Sequence, residues 1–164
     1  MRQNQLDVTD LAILSKLQSH GRMKNVELAE MVALSPSPCL QRVKRLEKLG
    51  FIKAYQAEIS LEQILDTVQV LTHFNLKDDT AESHHKFQQQ IPTYQEVLHC
   101  FMGSGGFDYQ VHFMCRSISH YQDVIRSVLD KDMAIEKYHS YVVMKEIVSR
   151  SQVPLKILLP SINN

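Results

Sequence analysis

The chain has 164 residues, of which 44% are apolar and 22% charged, with five glycines and five prolines. This composition is typical of one or two small soluble domains. No apolar run exceeds four residues, so we expect neither a membrane span nor a secretory leader. Three cysteines without C-x-x-C spacing indicate a reducing, cytoplasmic compartment rather than a disulfide framework.

The formal net charge of zero hides an asymmetry along the chain. Residues 1–60 carry nine Lys and Arg against six Asp and Glu, a net of +3, whereas residues 61–164 carry a net of −3. The basic residues are densest in residues 38–53, where five of them accompany Glu47 as the single acidic residue. A local basic stripe on a neutral protein indicates contact with nucleic acid.

The first sixty residues predict three short helices followed by an extended segment over Phe51–Ile59. Asn25 can cap the second helix, which we expect over Val26–Val32. Thr9 is a plausible N-cap for the first helix. That first helix carries leucines at helical spacing, namely Leu11, Leu14 and Leu17.

The third helix has the clearest boundaries in the sequence. Ser35-Pro36 supplies an N-cap followed by proline at the first helical position, and Gly50 follows the last helical residue, Leu49. We expect a buried apolar stripe made of Leu40, Val43, Leu46 and Leu49. Polar and basic side chains face outward, with Arg42 at the edge of the stripe: Ser37, Gln41, Lys44, Arg45 and Lys48.

The second and third helices are joined by a tight turn, and the third begins with small polar residues and carries basic residues on its outward face. This pattern predicts a helix-turn-helix, which places its second helix in the major groove. Lys44 and Lys48 suit phosphates, while each arginine suits either a phosphate or a guanine. The alternative is an ordinary solvated surface helix. The candidate DNA-binding residues are Asn25, Ser35, Ser37, Pro38, Gln41, Arg42, Lys44, Arg45 and Lys48.

Beyond a linker over residues 60–67, the apolar period changes from 3.6 to 2. The predicted elements are a strand over Val68–Leu76, a helix from Asp79-x-x-Glu82 to about Ile91-Pro92, strands over Glu96–Met102 and Phe107–Cys115 around a glycine-rich turn, a helix opening at Ser119-x-x-Gln122, and a strand over Ile135–Ile147. The order βαββαβ predicts a ferredoxin-like sandwich with both helices on one side of the sheet.

The chain is therefore α+β, with a winged-helix-like DNA-binding domain over residues 1–59 and a sandwich domain over residues 68–148. A tail over residues 149–164 follows. Its apolar residues between Pro154 and Pro160 indicate docking, and they are Leu155, Ile157, Leu158 and Leu159.

Neither a metal site nor a catalytic site is predicted. His84 and His85 are adjacent on a helix, so their side chains point about 100° apart. His99 and His112 lie on paired strands but lack the spacing of zinc ligands. No phosphate-binding, zinc-protease or nucleophile-elbow motif occurs, so we expect no enzyme and no cofactor, although this fold can host catalysis. A DNA-wrapping architectural protein remains an alternative.

Several stretches resemble the Lrp/AsnC family, the leucine-responsive or feast/famine transcription regulators. They are Leu6-Asp7-x-x-Asp10, Leu28-Ala29-Glu30 through Arg45-Leu46-Glu47, Gly50-Phe51-Ile52, Phe107-Asp108-Tyr109 and Tyr141-Val142-Val143-Met144-x-Glu146. The resemblance implies an N-terminal helix-turn-helix, a C-terminal βαββαβ ligand domain, dimers formed through the sheets, and assembly into octamers or hexadecamers.

The same resemblance implies an amino acid bound between dimers beside the loop that joins the second and third strands. The implied ligand-binding residues are Met102, Gly103, Ser104, Gly105, Gly106 and Asp108. The family often has an acidic residue where this chain has Gly106, so a partner for an ammonium group would come from elsewhere. Without the resemblance, the same glycines are also typical of a plain hairpin turn.

These observations predict a cytoplasmic, nucleoid-associated transcription regulator. We expect it to bind double-stranded DNA as a homodimer or larger assembly and to respond to an amino-acid effector. A regulator without an effector is the alternative that Gly106 leaves open.

Overall fold

The computed structural model describes residues 6–150 and 152–155. They form two compact units: residues 6–59 group with 148–150 and 152–155, and residues 60–147 form the second unit. None of the helices in this part of the chain has the length and apolar character needed to cross a bilayer.

The first unit contains the three predicted helices, α1 (Val8–Ser19), α2 (Asn25–Met31) and α3 (Pro36–Lys48). The segment over Phe51–Ile59 is not part of a sheet among the described residues. Because the helices are short, packing of their apolar faces stabilises them more than helix propensity does. The buried core of the unit consists of Ile13, Leu28, Ala29, Cys39 and Leu46.

Helix α1 begins two residues earlier than a Thr9 cap would allow, so Thr9 is the wrong cap. Asp7 is the N-cap, and its carboxylate accepts the N–H of Asp10 at 2.8 Å while the carboxylate of Asp10 accepts the N–H of Asp7 at 3.1 Å. Two N–H groups that lack an intrahelical partner are satisfied reciprocally in this capping box. The box also fixes both carboxylates at the start of α1.

Asn25 is the first residue of α2 and not its cap, so that prediction was also wrong. The N–H of the capping residue, Lys24, donates to the carboxylate of Glu27 at 3.4 Å. The side-chain Nδ2 of Asn25 instead donates to the carbonyl of Pro36 at 2.8 Å. The side chain therefore ties the start of α2 to the start of α3.

Helix α3 has the predicted cap and C-terminal glycine, but its buried stripe is different. Cys39 and Leu46 are buried and Val43 is partly buried, whereas Leu40 and Leu49 are 42% and 46% exposed. A three-residue step falls about 60° short of a full turn, so Leu40 and Leu49 lie about 180° apart around the helix axis. Residues 39, 43 and 46, spaced i, i+4 and i+7, stay on one face.

The second unit is the predicted ferredoxin-like sandwich. Its elements are β1 (Val68–Leu76), α4 (Ala81–Gln90), β2 (Val97–Met102), β3 (Tyr109–Cys115), α5 (Ile118–Leu129) and β4 (Ile135–Val142). The strands form one antiparallel sheet in the order β2-β3-β1-β4. In the central strands, Val70 of β1 lies opposite Phe113 of β3 and Val142 of β4.

One face of the sheet packs against both helices. Alternate residues of β1 and β3 are buried there, and Phe74 contacts Phe87 of α4 with ring centroids 5.4 Å apart. Thr72 is fully buried, and its hydroxyl hydrogen-bonds the hydroxyl of Tyr121 on α5 at 2.8 Å. Tyr121 also hydrogen-bonds Ser140, so the polar groups in this core have partners.

Several boundaries in the second unit differ from the prediction. Strand β2 begins at Val97 rather than Glu96, and β3 begins at Tyr109 rather than Phe107. Thr80 rather than Asp79 caps α4, because its hydroxyl accepts the N–H of Ser83. Ser117 rather than Ser119 caps α5 in the same way. The last strand ends at Val142 and not at Ile147, after which Val143 makes one more backbone hydrogen bond to β1.

The described part of the tail contacts the first unit. The N–H of Val153 donates to the side-chain oxygen of Gln18 at 2.8 Å, and the hydroxyl of Ser19 donates to Gln152. Residues 152 and 153 therefore dock at the end of α1. Ile157, Leu158, Leu159 and Pro160, on which the docking prediction mainly depended, lie outside the described residues.

Candidate nucleic-acid interface and effector loop

The connection between α2 and α3 is short because Ala33 adopts a left-handed backbone conformation, with φ of 55°. That conformation turns the chain sharply before Ser35, the N-cap of α3, whose own backbone is extended. Pro36 occupies the first helical position, where its missing N–H costs no hydrogen bond. The exposed side of α3 from this end onward carries Ser37, Pro38, Gln41, Lys44 and Lys48.

Leu40 is an exposed residue of α3 that the apolar spacing wrongly predicts to be buried. Leu40 lies three residues after Ser37 and four before Lys44, so the three side chains share one side of the helix. The three-residue spacing of the predicted stripe could have indicated this exposure, because residues so spaced rotate progressively around the helix and cannot all be buried on one face. The polar surface of α3 therefore includes one apolar side chain.

The two arginines of α3 contact carboxylates of α1 within the same unit. One guanidinium nitrogen of Arg42 lies 2.6 Å from Asp7 Oδ2 and 2.8 Å from Asp10 Oδ1. Arg45 pairs with the other carboxylate oxygen of Asp10. The Asp10 side chain is only 1% exposed, against 53% for Asp7 and 32% for Arg42. Asp10 is therefore a buried carboxylate held by two guanidinium groups.

This cluster shifts two ionisation equilibria. Although partial burial acts to raise it, hydrogen bonds from the N–H of Asp10 and from Arg42 hold the pKa of Asp7 below its ordinary value. The hydrogen bond to Asp7, followed in size by the one to Asp10, raises the pKa of Arg42. Both shifts favour the charged forms of Asp7 and Arg42, so they favour the ion pair between these two side chains.

A surface groove of about 400 Å³ lies beside the cluster. It is lined by Asp7, Pro38, Gln41, Arg42 and Arg45. The ion-paired arginines and the candidate base-reading residue Gln41 therefore share one concave surface. By contrast, Lys44 and Lys48 have no carboxylate within ion-pair distance among residues 6–150 and 152–155.

In the second unit, the loop between β2 and β3 is closed by its own backbone. The N–H of Gly103 donates to the carbonyl of Asp108 at 2.9 Å, and the N–H of Asp108 donates to the carbonyl of Phe74 at 2.9 Å. Gly105 has φ of 121°, a conformation that favours glycine. Ser104, Gly105 and Gly106 are exposed at the tip of the loop.

The carboxylate of Asp108 is used by the fold. It accepts the N–H of Leu76 at 2.7 Å, where β1 ends. The neighbouring Asn75 donates from Nδ2 to the carbonyl of Gly106 at 3.2 Å, while its Oδ1 is buried without a partner among the described residues. Asp108 therefore holds the loop in place, and its backbone and that of Gly106 are tied to β1.

Glycine is required at one end of this loop and not at the other. A Cβ on Gly103 would lie 2.6 Å from the ring of Phe107, which stacks on His73 with centroids 4.1 Å apart. A Cβ on Gly106 would have no neighbour within 4 Å. The position where the family often carries an acidic residue is thus sterically open.

The sheet face opposite the two helices carries four histidines, one on each strand: His73, His99, His112 and His139. His99 and His112 stack with centroids 5.9 Å apart. Burial and the proximity of His99 lower the pKa of His112. In the described part of the chain, no three His, Cys, Asp or Glu side chains are grouped closely enough to hold a metal ion.

Comparison with known proteins matches both units. Residues 6–53 match the model of a winged helix-turn-helix DNA-binding domain, and residues 69–153 match that of the Lrp/AsnC ligand binding domain. The chain belongs to the Lrp/AsnC family. This Lrp/AsnC protein is therefore a transcription regulator with a DNA-binding unit followed by a ligand-binding unit.

Individual relatives cover nearly all of the Lrp/AsnC protein. The transcriptional regulatory protein DoeX of Halomonas elongata is 39% identical over 142 residues, which are 87% of this chain and 90% of that one. The leucine-responsive regulatory protein of Haemophilus influenzae is 32% identical over 94% of this chain and 93% of its own. Both relatives are regulatory proteins.

A solved structure is also similar over its whole length. A transcriptional regulator from Neisseria meningitidis, in complex with L-Met, has a TM-score of 0.86 and is 34% identical. The alignment covers 94% of this chain and 99% of that one. The ferredoxin-like architecture of the second unit is therefore shared with a protein that has been observed with a bound amino acid.

Proposed function

We propose that this regulator binds double-stranded DNA in the cytoplasmic nucleoid by inserting α3 into the major groove. The observation that supports this most strongly is the exposed arc of α3, where a small polar start is followed by two lysines without carboxylate partners among the described residues. An α-helix fits the major groove, and its N-terminal turns meet the base edges.

The exposed side chains of α3 differ in chemistry between the two halves of the helix. Ser35, Ser37 and Gln41 occupy the N-terminal half, where hydroxyl and amide groups can hydrogen-bond base edges. Leu40, with Pro38 near it, offers an apolar contact for a thymine methyl group. Lys44 and Lys48 lie toward the C-terminal half and suit phosphates. Asn25 acts on this surface through its hydrogen bond to Pro36.

We assign the open face of the sheet to a second copy of the chain. That face combines four histidines with exposed apolar side chains, including Phe101 and Tyr141. A homodimer would bring two copies of α3 to successive major grooves, with half-sites about one helical turn apart or a multiple of it. Larger assemblies would then form from dimers.

An amino acid is the proposed effector, bound at the loop over residues 102–106 with Asp108 holding the loop. The N–H groups of Ser104, Gly105 and Gly106 have no backbone partner among the described residues, so they are available to a carboxylate. The bound L-Met in the Neisseria meningitidis relative makes L-methionine the first ligand to test. A ligand shifts assembly only through its differential affinity for two arrangements.

The DNA contact is tested by the salt dependence of binding. A labelled duplex is first enriched by the wild-type protein from a random-sequence library, and its affinity is then measured by fluorescence anisotropy between 50 and 300 mM KCl, a range of about six-fold. Each lysine that neutralises one phosphate contributes about 0.9 to the slope of log affinity against log salt. Lys44→Ala and Lys48→Ala should therefore each weaken binding and reduce the slope.

Arg126→Ala is the matched control, because Arg126 is an exposed basic residue on a helix of the other unit. It should leave affinity and slope unchanged. Gln41→Ala should change the preference among sequences while keeping the slope. If the lysine variants behave like the control, α3 is not the DNA-contacting helix.

The effector is tested by sedimentation velocity and DNA affinity across a panel of free L-amino acids at fixed salt. A shift in assembly with one amino acid supports the proposal. If no member of the panel changes either quantity, the ligand-independent, DNA-wrapping alternative applies, and Gly106 is the observation that favours it. Such a protein would also discriminate little between the enriched duplex and random DNA.

A further inference from the structure

The first unit contains a four-residue charge cluster whose role in DNA binding is not evident from its basic residues alone. Arg42 lies in the middle of α3 and Arg45 at the start of its last turn, and each has a nitrogen on the carboxylate of Asp10. Arg42 also pairs with Asp7 at 2.6 Å. Two positive and two negative charges therefore meet between α1 and α3.

The burial of Asp10 favours its ion pairs with the two arginines, which are themselves 32% and 44% exposed. Because the Asp10 side chain is 1% exposed, its carboxylate has the two guanidinium groups in place of water as its polar partners. If either arginine turned toward a DNA phosphate, it would leave part of a buried carboxylate without compensation, which is strongly destabilising. Asp10 thus competes with the phosphate for these arginines from a site that water does not screen.

The cluster also lies where it can set the rotation of α3. The helix buries a stripe made of Cys39 and Leu46, with Val43 partly covered, and the ion pairs of the cluster add a second constraint on its rotation. Arg42 and Arg45, three residues apart, lie on one side of that stripe and are anchored to the capping box of α1. Gln41 lines the same groove as the cluster.

We propose that Arg42 and Arg45 are positioning residues that hold α3 at the rotation required for Gln41 and Ser37 to face the bases. They do not neutralise phosphates, and Asp7 and Asp10 are their fixed partners. This inference rests on the proposed function, in which α3 is the DNA-contacting helix. It assigns the phosphate contacts of α3 to Lys44 and Lys48.

Asp10→Asn distinguishes a positioning role from phosphate contact, because the two roles predict opposite changes in DNA affinity for this variant. A positioning role predicts that Asp10→Asn and Arg45→Met both weaken binding to the enriched duplex by about tenfold or more without changing the salt slope. If Arg45 instead contacts a phosphate, Arg45→Met reduces the slope by about 0.9 for each copy of the chain on the DNA, and Asp10→Asn strengthens binding by releasing the arginine. Either result would overturn the proposal.

Asp7→Asn tests the same positioning role if Asp10→Asn fails to fold. Asparagine still caps a helix, so this variant removes only the charge that faces Arg42. Under the proposal its affinity falls about two- to threefold with an unchanged slope, whereas tighter binding contradicts it. The size of this effect reflects the partial exposure of Asp7.

The ratio of affinities for the enriched and random duplexes distinguishes positioning from general stability. It is measured at a temperature where circular dichroism shows each variant fully folded. A lower ratio in Arg45→Met supports positioning, and an unchanged ratio overturns it, whether or not the affinity falls. Lys44→Ala is run in parallel: if it changes neither affinity nor slope, the proposed function fails, independently of the arginine results.

Discussion

Replacing Gly106 by aspartate should create a site for an ammonium group without disturbing the loop. A Cβ at this position has no neighbour within 4 Å, and Gly106 is not among the glycines with positive φ. Its carbonyl already accepts a hydrogen bond from Asn75, which holds the backbone in place. Gly106→Asp therefore adds a carboxylate to the exposed tip of a fixed loop.

The expected magnitudes follow from this geometry. A side chain at a glycine whose backbone conformation it can adopt stabilises a protein by about 0.4–1 kcal/mol, because the unfolded chain loses freedom. An exposed ion pair between the new carboxylate and a ligand ammonium contributes about 0.2–1 kcal/mol. The affinity for L-methionine should then rise about 1.4- to fivefold.

The assay is isothermal titration calorimetry with L-methionine and with 4-(methylthio)butanoate, which lacks the amino group. Only L-methionine should bind more tightly to Gly106→Asp than to the wild type. Gly103→Ala is the contrasting variant, since its Cβ would meet the ring of Phe107 at 2.6 Å and should destabilise the unit by roughly 1–3 kcal/mol.

Two results would refute the reasoning about the loop. An equal gain in affinity for the analogue without an ammonium group would show that the new carboxylate acts in another way. Destabilisation of Gly106→Asp to the extent seen for Gly103→Ala, measured by urea denaturation, would show that the tip of the loop is not open. The denaturation result can be interpreted without knowing the natural effector.

Three further predictions concern stability. Tyr121→Phe removes the hydroxyl that pairs with the buried hydroxyl of Thr72 and should cost about 1–3 kcal/mol in urea denaturation, and an unchanged midpoint would contradict this. Ala33→Gly should raise the melting temperature of the helix-turn-helix unit, because glycine relieves about 1 kcal/mol of left-handed strain, and a lower melting temperature would be contrary evidence. Burial lowers the pKa of His112 below 6.5, so the stability that its neutral form provides is present above that pH and declines as the pH falls through the lowered pKa. His112→Gln should flatten that decline, and an identical pH profile would rule out His112 as its source.

The ferredoxin-like unit could be predicted from the sequence because its signals are local. In β1 the alternation of Val70, Thr72, Phe74 and Leu76 places one face toward the helices, and that face is buried. The helix starts were predicted less well, because several residues that can cap compete within a short stretch. Asp79 and Thr80 are adjacent, and only the backbone geometry selects the threonine.

The details of the DNA-binding surface depend on contacts that local sequence does not encode. Arg42 and Asp10 are 32 residues apart, and nothing in the spacing around α3 indicates that the arginine faces a buried carboxylate. The repeated apolar spacing of Leu40 and Leu49 indicated burial for both, but only a close match to 3.6 residues per turn keeps side chains on one face.

The four basic side chains of α3 fall into two groups according to their ion-pair partners. Lys44 and Lys48 keep their charge toward solvent, whereas Arg42 and Arg45 are balanced by two aspartates of the same unit. Asp10 belongs at once to the cap of α1 and to the charge cluster that meets α3. Stability and DNA affinity should therefore fall together when Asp10 is replaced, and they should separate when Lys44 is replaced, because that side chain makes no ion pair among the described residues.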